Sequence, residues 1–351
     1  MKNKYPTKYE IYQALTEMTS ASFVKSFAQK RGLFVMNAKQ TEIANEITKL
    51  FLEESDIEEI RLEAYQQSIT HSLSGFVISS TETDFSVKDI YNRIFENSSF
   101  KEGITLNALQ RVGESEVFKG TYKYNKNRPG RIQLLQGEEN EFDFFISEVS
   151  DNVWKVEIDS TKSTDLKEIK ELFELNTNRD VHFSVIDARL LTTEKSVQFF
   201  DGLNSFGENE NWKLKQIKHI AIKKASSGDD ENISVKDGDL EGINHALIEG
   251  HNLRENNFIT SAVTQGFQFN AMTYEFENLK EPKLLEIKAE FKGRPKVFEV
   301  TIVKFSEIVG SPGVLKEITL NPKNSIMYRS SFWNFAREIF DKVKNSKSSE
   351  K

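Results

Sequence analysis

The chain contains no cysteine in 351 residues. That one absence excludes disulfides, Cys-ligated zinc, iron–sulfur clusters and thiol nucleophiles together. No apolar run approaches the roughly 18 residues a helix needs to cross a bilayer, so no membrane partner is expected. The opening Met1-Lys-Asn-Lys-Tyr-Pro6 has no apolar stretch after its lysines, so no secretory signal is expected and the composition fits the cytosol. Strong catalytic signatures are missing too. Gly310-Ser-Pro-Gly313 lacks the Gly-Lys-Ser/Thr that completes a phosphate-binding loop, Gly202 and Gly207 do not form a dinucleotide fingerprint, and there is no G-x-S-x-G elbow.

Hydrophobic residues make up 38% of the chain and charged residues 29%, and the 27 Phe side chains are enough to dominate a core. The length suggests two or three domains. The net charge of −7 is unevenly placed. Residues 1–50 carry 8 basic against 4 acidic side chains and residues 281–351 carry 14 against 9, which leaves −16 for the middle. Two mildly basic ends around an acidic centre allow local contact with a polyanion but not a broad one.

Periodicity predicts an α+β protein with a helical module over residues 1–100. Ile11, Ala14, Leu15 and Met18 form one amphipathic stripe; Phe23, Val24, Phe27 and Ala28 form a second that Gly32 stops; Ile43, Ile47, Leu50 and Phe51 form a third. Ser55-Asp-Ile-Glu58 reads as a capping box opening a helix that ends near Gly75, and another helix is expected from Val87 to Phe95. Two mixed, mainly antiparallel β regions with covering helices follow, at 101–224 and 239–345. The first has strands at Val117–Tyr124, Arg131–Leu135, Glu141–Glu148, Val153–Ile158, Asp180–Ile186 and Trp212–Ile222, with helices at Thr164–Leu175 and Glu194–Leu203. The second has a helix at 239–249, strands at 258–276, 283–292 and 296–305, and a last helix around Phe332, Ala336, Ile339, Phe340 and Val343. The polar run 225–238 is expected to be a linker and 346–351 a disordered tail.

The two β regions invite comparison. Tyr122–Asn125, Phe142–Glu148 and Val153–Ile158 have counterparts in Phe267–Asn270, Leu285–Phe291 and Val297–Ile302, which raises an internal duplication of two meanders.

The segment Phe27-Ala-Gln-Lys-Arg-Gly-Leu-Phe-Val-Met-Asn-Ala-Lys39, continuing to Ile43 and Ile47, resembles the helix–extended–helix pattern of SAP-like DNA-binding modules over residues 21–52. Where such modules carry Gly before the Lys, this chain has Asn37-Ala38. The resemblance implies DNA contact. Lys30, Arg31 and Lys39 are the residues expected to meet phosphate, helped by the free donors of a helix N-terminus. The leading functional expectation is therefore a non-enzymatic, nucleic-acid-associated subunit of a cytoplasmic bacterial complex. By analogy with motif-poor accessory subunits, antiviral defence is one setting for it. A protein partner is expected, with Trp333 as an anchor beside the last helix's apolar stripe.

Two alternatives stand beside it. One is a metal-dependent nuclease in which Glu286-Ile-Lys288, with Glu275 and Glu277 on the preceding strand, holds Mg²⁺ and an attacking water. The same Glu and Lys alternation also describes a solvated strand face. The other is a protein–protein scaffold without nucleic-acid contact. Apart from the Mg²⁺ of the nuclease alternative, no cofactor is expected. Among the five histidines (His71, His182, His219, His245 and His251), His245 and Glu249 one helical turn apart give only a weak metal-site signal.

Overall fold

A computed structural model describes residues 5–17, 19, 21–33, 38–67, 71–82, 85–96, 104–113, 116–126, 138–177, 180–208, 211–224, 245–250, 253–293, 296–309, 314–318 and 320–346. The strand expected at 131–135, the linker at 225–238, Asn37, His251 and tail residues 347–351 lie outside them. The chain divides into two compact units. One holds residues 1–70, 99–106 and 122–141; the other holds 71–98, 107–121 and 142–351.

The first unit is built from α1 (Lys8–Glu17), α2 (Ala21–Lys30), α3 (Gln40–Ile47) and α4 (Glu54–Gln67). Each opens or closes for a local reason. Thr7 and Glu10 form a reciprocal cap at α1: the Thr7 amide donates to Glu10 Oε2 at 2.7 Å and the Glu10 amide to Thr7 Oγ1 at 3.3 Å. At the end of α2, Gly32 adopts φ +77° and the Leu33 amide reaches back to the Ala28 carbonyl at 3.1 Å. At α4 the Asp56 Oδ2 accepts from the Glu53 amide at 3.0 Å, one half of a capping box. The box expected at Ser55 and Glu58 is thus displaced by two residues. Ile11, Ala14, Leu15, Val24, Phe27, Ala28, Ile43 and Ile47 of the predicted stripes turn inward and share one core, which Ile60 of α4 joins; Met18 lies outside the described residues. Phe51, read as part of the third stripe, is instead exposed.

The second unit is α+β. Its elements are β1 (Ser72–Ser80), α5 (Val87–Glu96), β3 (Gln110–Arg111), β4 (Val117–Lys126, of which the first half belongs here), β5 (Glu138–Ser150, which belongs here from Phe142 on), β6 (Val153–Ser160), α6 (Asp165–Glu174), β7 (Val181–Val185), α7 (Thr193–Gly202), β8 (Trp212–Lys224), β9 (His245–Glu249), α8 (Asn257–Thr264), β10 (Phe267–Asn278), β11 (Lys283–Lys292), β12 (Val297–Val309), β13 (Val314–Glu317) and α9 (Pro322–Asn345). The short β2 (Ile104–Leu106) pairs with residues 122–124 in the first unit. The sheet order is β4-β5-β6-β1-β12-β11-β10-β8-β9, and β5-β6, β6-β1, β1-β12, β12-β11, β11-β10, β10-β8 and β8-β9 pair antiparallel.

Both expected meanders are present, β4-β5-β6 and β10-β11-β12, on opposite sides of β1. A helix follows each meander (α6 after β6; α9 after β12 and β13), but β8, β9 and α8 stand between α7 and the second meander where the first has only β2 and β3 after α5. Asn152, at φ +59°, makes the β5–β6 turn, and its side-chain carbonyl accepts from the Phe85 amide at 3.1 Å.

Alternation along β10 to β12 sends Met272, Tyr274, Phe276, Leu285, Ile287, Ala289, Phe291, Phe298 and Val300 into one core with α7 and α9. Phe199 is its hub, with ring centroids 5.3 to 6.1 Å from those of Phe200, Phe291, Phe298 and Phe340. The opposite face carries Thr273, Glu275, Glu286, Lys288, Glu290, Glu299 and Thr301.

Three expected elements are corrected. Leu73 and Gly75, read as the end of a helix, lie on β1 in the middle of the sheet. Gly75 is there because a Cβ would stand 2.7 Å from the Val156 carbonyl oxygen and 3.1 Å from the Trp333 ring. Residues 245–249 form an edge strand rather than a helix. Residues 257–264 form a helix rather than a strand, opened by the Asn256 side chain accepting from the Phe258 amide at 2.8 Å. The two β regions also share one sheet and one compact unit, joined by β1 pairing with β12.

Candidate functional site

A cavity of about 220 Å³ opens beside α6 in the second unit. Leu166, Ile169 and Phe173 recur on one helical face and bury it, with Phe173 against Phe76 and Tyr91. The first turn is tied down by buried Asp165, which accepts from the Ser160 hydroxyl. The remaining face of α6 brings Lys167, Lys170, Glu171 and Glu174 to the cavity. These close on themselves as i,i+4 ion pairs, Lys167 with Glu171 at 3.3 Å and Lys170 with Glu174.

The opposite wall comes from the segment after β7 and the start of β12. Asp187 pairs with Val297 across an isolated bridge, and the Phe298 amide donates to the Ile186 carbonyl at 3.2 Å. Asp187 is buried and takes the Nε–Nη2 edge of the Arg189 guanidinium: Nε lies 3.1 and 3.0 Å from its two oxygens and Nη2 2.6 Å from Oδ2. That contact raises the Arg189 pKa further.

Lys296 differs from its neighbours in the cavity. Among the described residues its ammonium meets no carboxylate; it donates to Asn270 Oδ1 at 3.2 Å. Asn270 is oriented for this by its Nδ2, which donates to the Phe291 carbonyl at 3.3 Å. Burial, and then the like charge of Lys223, pull the Lys296 pKa below the usual lysine value. Leu166, Val185 and Val297 give the cavity apolar walls. The arrangement can neutralise one negative charge beside an apolar surface.

The residues singled out from sequence fare differently. Lys30 and Arg31 are held by the unit's own acids. Lys30 Nζ is 2.8 Å from Glu59 Oε1, while Arg31 pairs with Asp56, lies 3.4 Å from Glu59 and stacks its guanidinium 3.4 Å over the Phe27 ring. Arg31 is only 17% exposed. These bonds hold the carboxyls low: Arg31 for Asp56, and Lys30 then Arg31 for Glu59. Lys39 is exposed at the start of α3, and the Glu42 carboxylate accepts from its amide at 2.9 Å.

Glu286 stands directly across from Glu275 in the β10–β11 pairing. Lys218 places its ammonium between them, 2.7 Å from Glu286 and 2.6 Å from Glu275. Lys288 turns to Glu290 instead, at 2.6 Å. Trp333, expected to anchor a partner, is 1% exposed in the core, so its ring is not available at the surface. His245 and Glu249 sit four residues apart on a strand, about 13 Å, and cannot share one ion. Among the described residues no group of three or more His, Cys, Asp and Glu side chains is placed to hold a metal.

Sequence reasoning missed Lys296 and Arg189. Each reads alone as an ordinary solvated cation; only the fold sets them beside α6.

No protein-family model matches the chain. No curated protein matches it. Among solved structures it is similar to the di-domain ARO/CYC BexL from the BE-7585A biosynthetic pathway, at 9% identity over 80% of this chain and 99% of that one, with a TM-score of 0.18. DynU16, from the dynemicin biosynthetic locus, is similar at 10% identity over 77% and 99%, with a TM-score of 0.17. Likeness at these TM-scores carries no argument about fold or function.

Proposed function

We propose that the chain is a non-enzymatic binding protein that takes a small anionic ligand in the cavity beside α6. The carrying observation is Lys296, a half-buried cation whose recorded partner is a neutral amide. Keeping a charge partly out of water without an opposite charge is costly, and a bound anion would supply one. The other cavity cations bring their own carboxylates and add little net attraction. The test is the melting temperature of the full chain against a panel of small anions, in the wild type and in Lys296→Gln. Saturable stabilisation that the substitution removes supports the reading; equal shifts in both proteins would sink it.

A second reading is that of a nucleic-acid-associated subunit touching phosphate through the helical unit. Lys39 favours it, being exposed with no ion pair recorded among the described residues. Lys30 and Arg31 would have to exchange Glu59 and Asp56 for phosphates. DNA retention that falls on Lys39→Glu supports this reading, and retention unchanged by it removes the residue that carries it.

A further inference from the structure

Resting on the anion-binding reading of the cavity, we infer that its ligand is a small organic monocarboxylate with an apolar body, and neither a phosphate ester nor a polyanion. Three observations carry this. The first is size: about 220 Å³ suits a short acid and falls below the range of larger ligand sites. The second is the charge available. A phosphate dianion is best met by an uncompensated guanidinium or several cations, but the Nε–Nη2 edge of Arg189 is taken by both oxygens of Asp187, which also cancel its charge. Lys167 and Lys170 are matched by Glu171 and Glu174, whose carboxylates would repel a second negative charge. That leaves Lys296. An ammonium has three donors; Asn270 takes one, and the others can meet one carboxylate. The third is the wall. Leu166, Val185 and Val297 line the cavity, and they offer an apolar chain a dry surface and a second charge nothing.

The experiment titrates the full chain with hexanoate, hexanamide, hexylamine and inorganic phosphate, by calorimetry and thermal melts. Hexanoate alone is expected to bind saturably. Its affinity should weaken as pH rises through the lowered Lys296 value, because the cation is then lost. Lys296→Gln should weaken hexanoate by about ten- to a hundredfold, the range for losing a hydrogen bond to a charged group. Lys316→Gln, an exposed cation on β13 outside the cavity lining, should not. If Lys296→Gln fails to fold by circular dichroism, protection of Lys296 from reductive methylation by hexanoate in the wild type reads the same contact, and unchanged labelling overturns the proposal. Phosphate binding in place of hexanoate, or hexanamide binding as tightly, overturns the carboxylate assignment. In the phosphate case the anion-cavity reading survives. No probe acting in a Lys296-dependent way overturns both.

Discussion

Arg329 on α9 donates to Asp159 on β6, Nη1 to Oδ1 at 2.6 Å, and both side chains are buried. The contact joins the closing strand of the first meander to the closing helix of the second. Burial pushes the Asp159 carboxyl up, but His71 and Arg329 outweigh it and hold it below the usual range. A lowered folded value means the contribution is complete above the ordinary carboxylate pKa and is lost as pH falls through the folded one. Arg329→Met strands the carboxylate and should cost about 3–5 kcal/mol in urea unfolding, whereas Arg329→Met with Asp159→Leu should recover much of that loss. Equal losses in the single and double variants would show that packing, not charge, is lost.

Glu299 presents the opposite sign. It is 2% exposed on β12, directly across from Glu290 on β11. Burial lifts its carboxyl above the usual range; Lys292 and the Ser72 hydroxyl pull it down less, and Glu290 adds to the rise. The folded state therefore binds the proton more tightly than the unfolded chain, and stability falls as pH rises from the ordinary carboxylate value through the raised one. Glu299→Gln keeps an acceptor for Ser72 and removes the charge. It should melt higher than wild type at pH 7 by a few degrees, the gain vanishing toward pH 4. A gain that persists unchanged at pH 4 would mean the charge is not its cause.

How much of this was legible in the sequence depends on what each segment packs against. The stripes at Ile11–Leu15, Val24–Ala28 and Phe332–Phe340 face single cores, so a 3.6-residue period survives in them. Ser72–Ser80 does not read as a strand because Gly75 answers to Trp333 and Val156, and Ser72 to Ser160 and Glu299, not to strand propensity. Asn257–Thr264 is rich in β-branched residues, and the Asn256 cap overrides that preference. The cavity was illegible for a different reason. Lys170, Arg189 and Lys296 come from three separate elements, and nothing local distinguishes a cation that will lose its solvent from one that will keep it.

The same close approach makes Gly75 a sharp probe of the sheet. Its φ is ordinary, so backbone strain is not at issue. A methyl group would meet a backbone oxygen at 2.7 Å and the buried Trp333 ring at 3.1 Å. Neither can swing aside. Gly75→Ala should destabilise by about 1–3 kcal/mol through overpacking, despite the usual small gain from replacing a strand glycine. The combination with Trp333→Phe should recover part of the loss. If Gly75→Ala melts at or above wild type, β1 and α9 are farther apart than described.

Lys218 decides what the Glu275–Glu286 pair is. Two nearly buried carboxylates facing each other across adjacent strands repel unless a cation lies between them. Either a divalent ion or an ammonium can fill that role, and here the ammonium holds both at under 3 Å. Burial alone would pull the Lys218 pKa down, but its bonds to Glu275 and Glu286 raise it. Lys218→Met removes the cation and leaves Glu275 with Lys215 and Gln216. Stability should drop by about 1–3 kcal/mol at neutral pH. The deficit should shrink as pH falls, because the pair can then share a proton. Mg²⁺ or Mn²⁺ should raise the melting temperature of the variant and leave wild type unchanged, since only the variant has a vacant position between the carboxylates. The reverse result, with wild type stabilised by the metal and the variant not, would move Lys218 out of that position and restore Glu286 and Lys288 as candidates for metal-dependent cleavage.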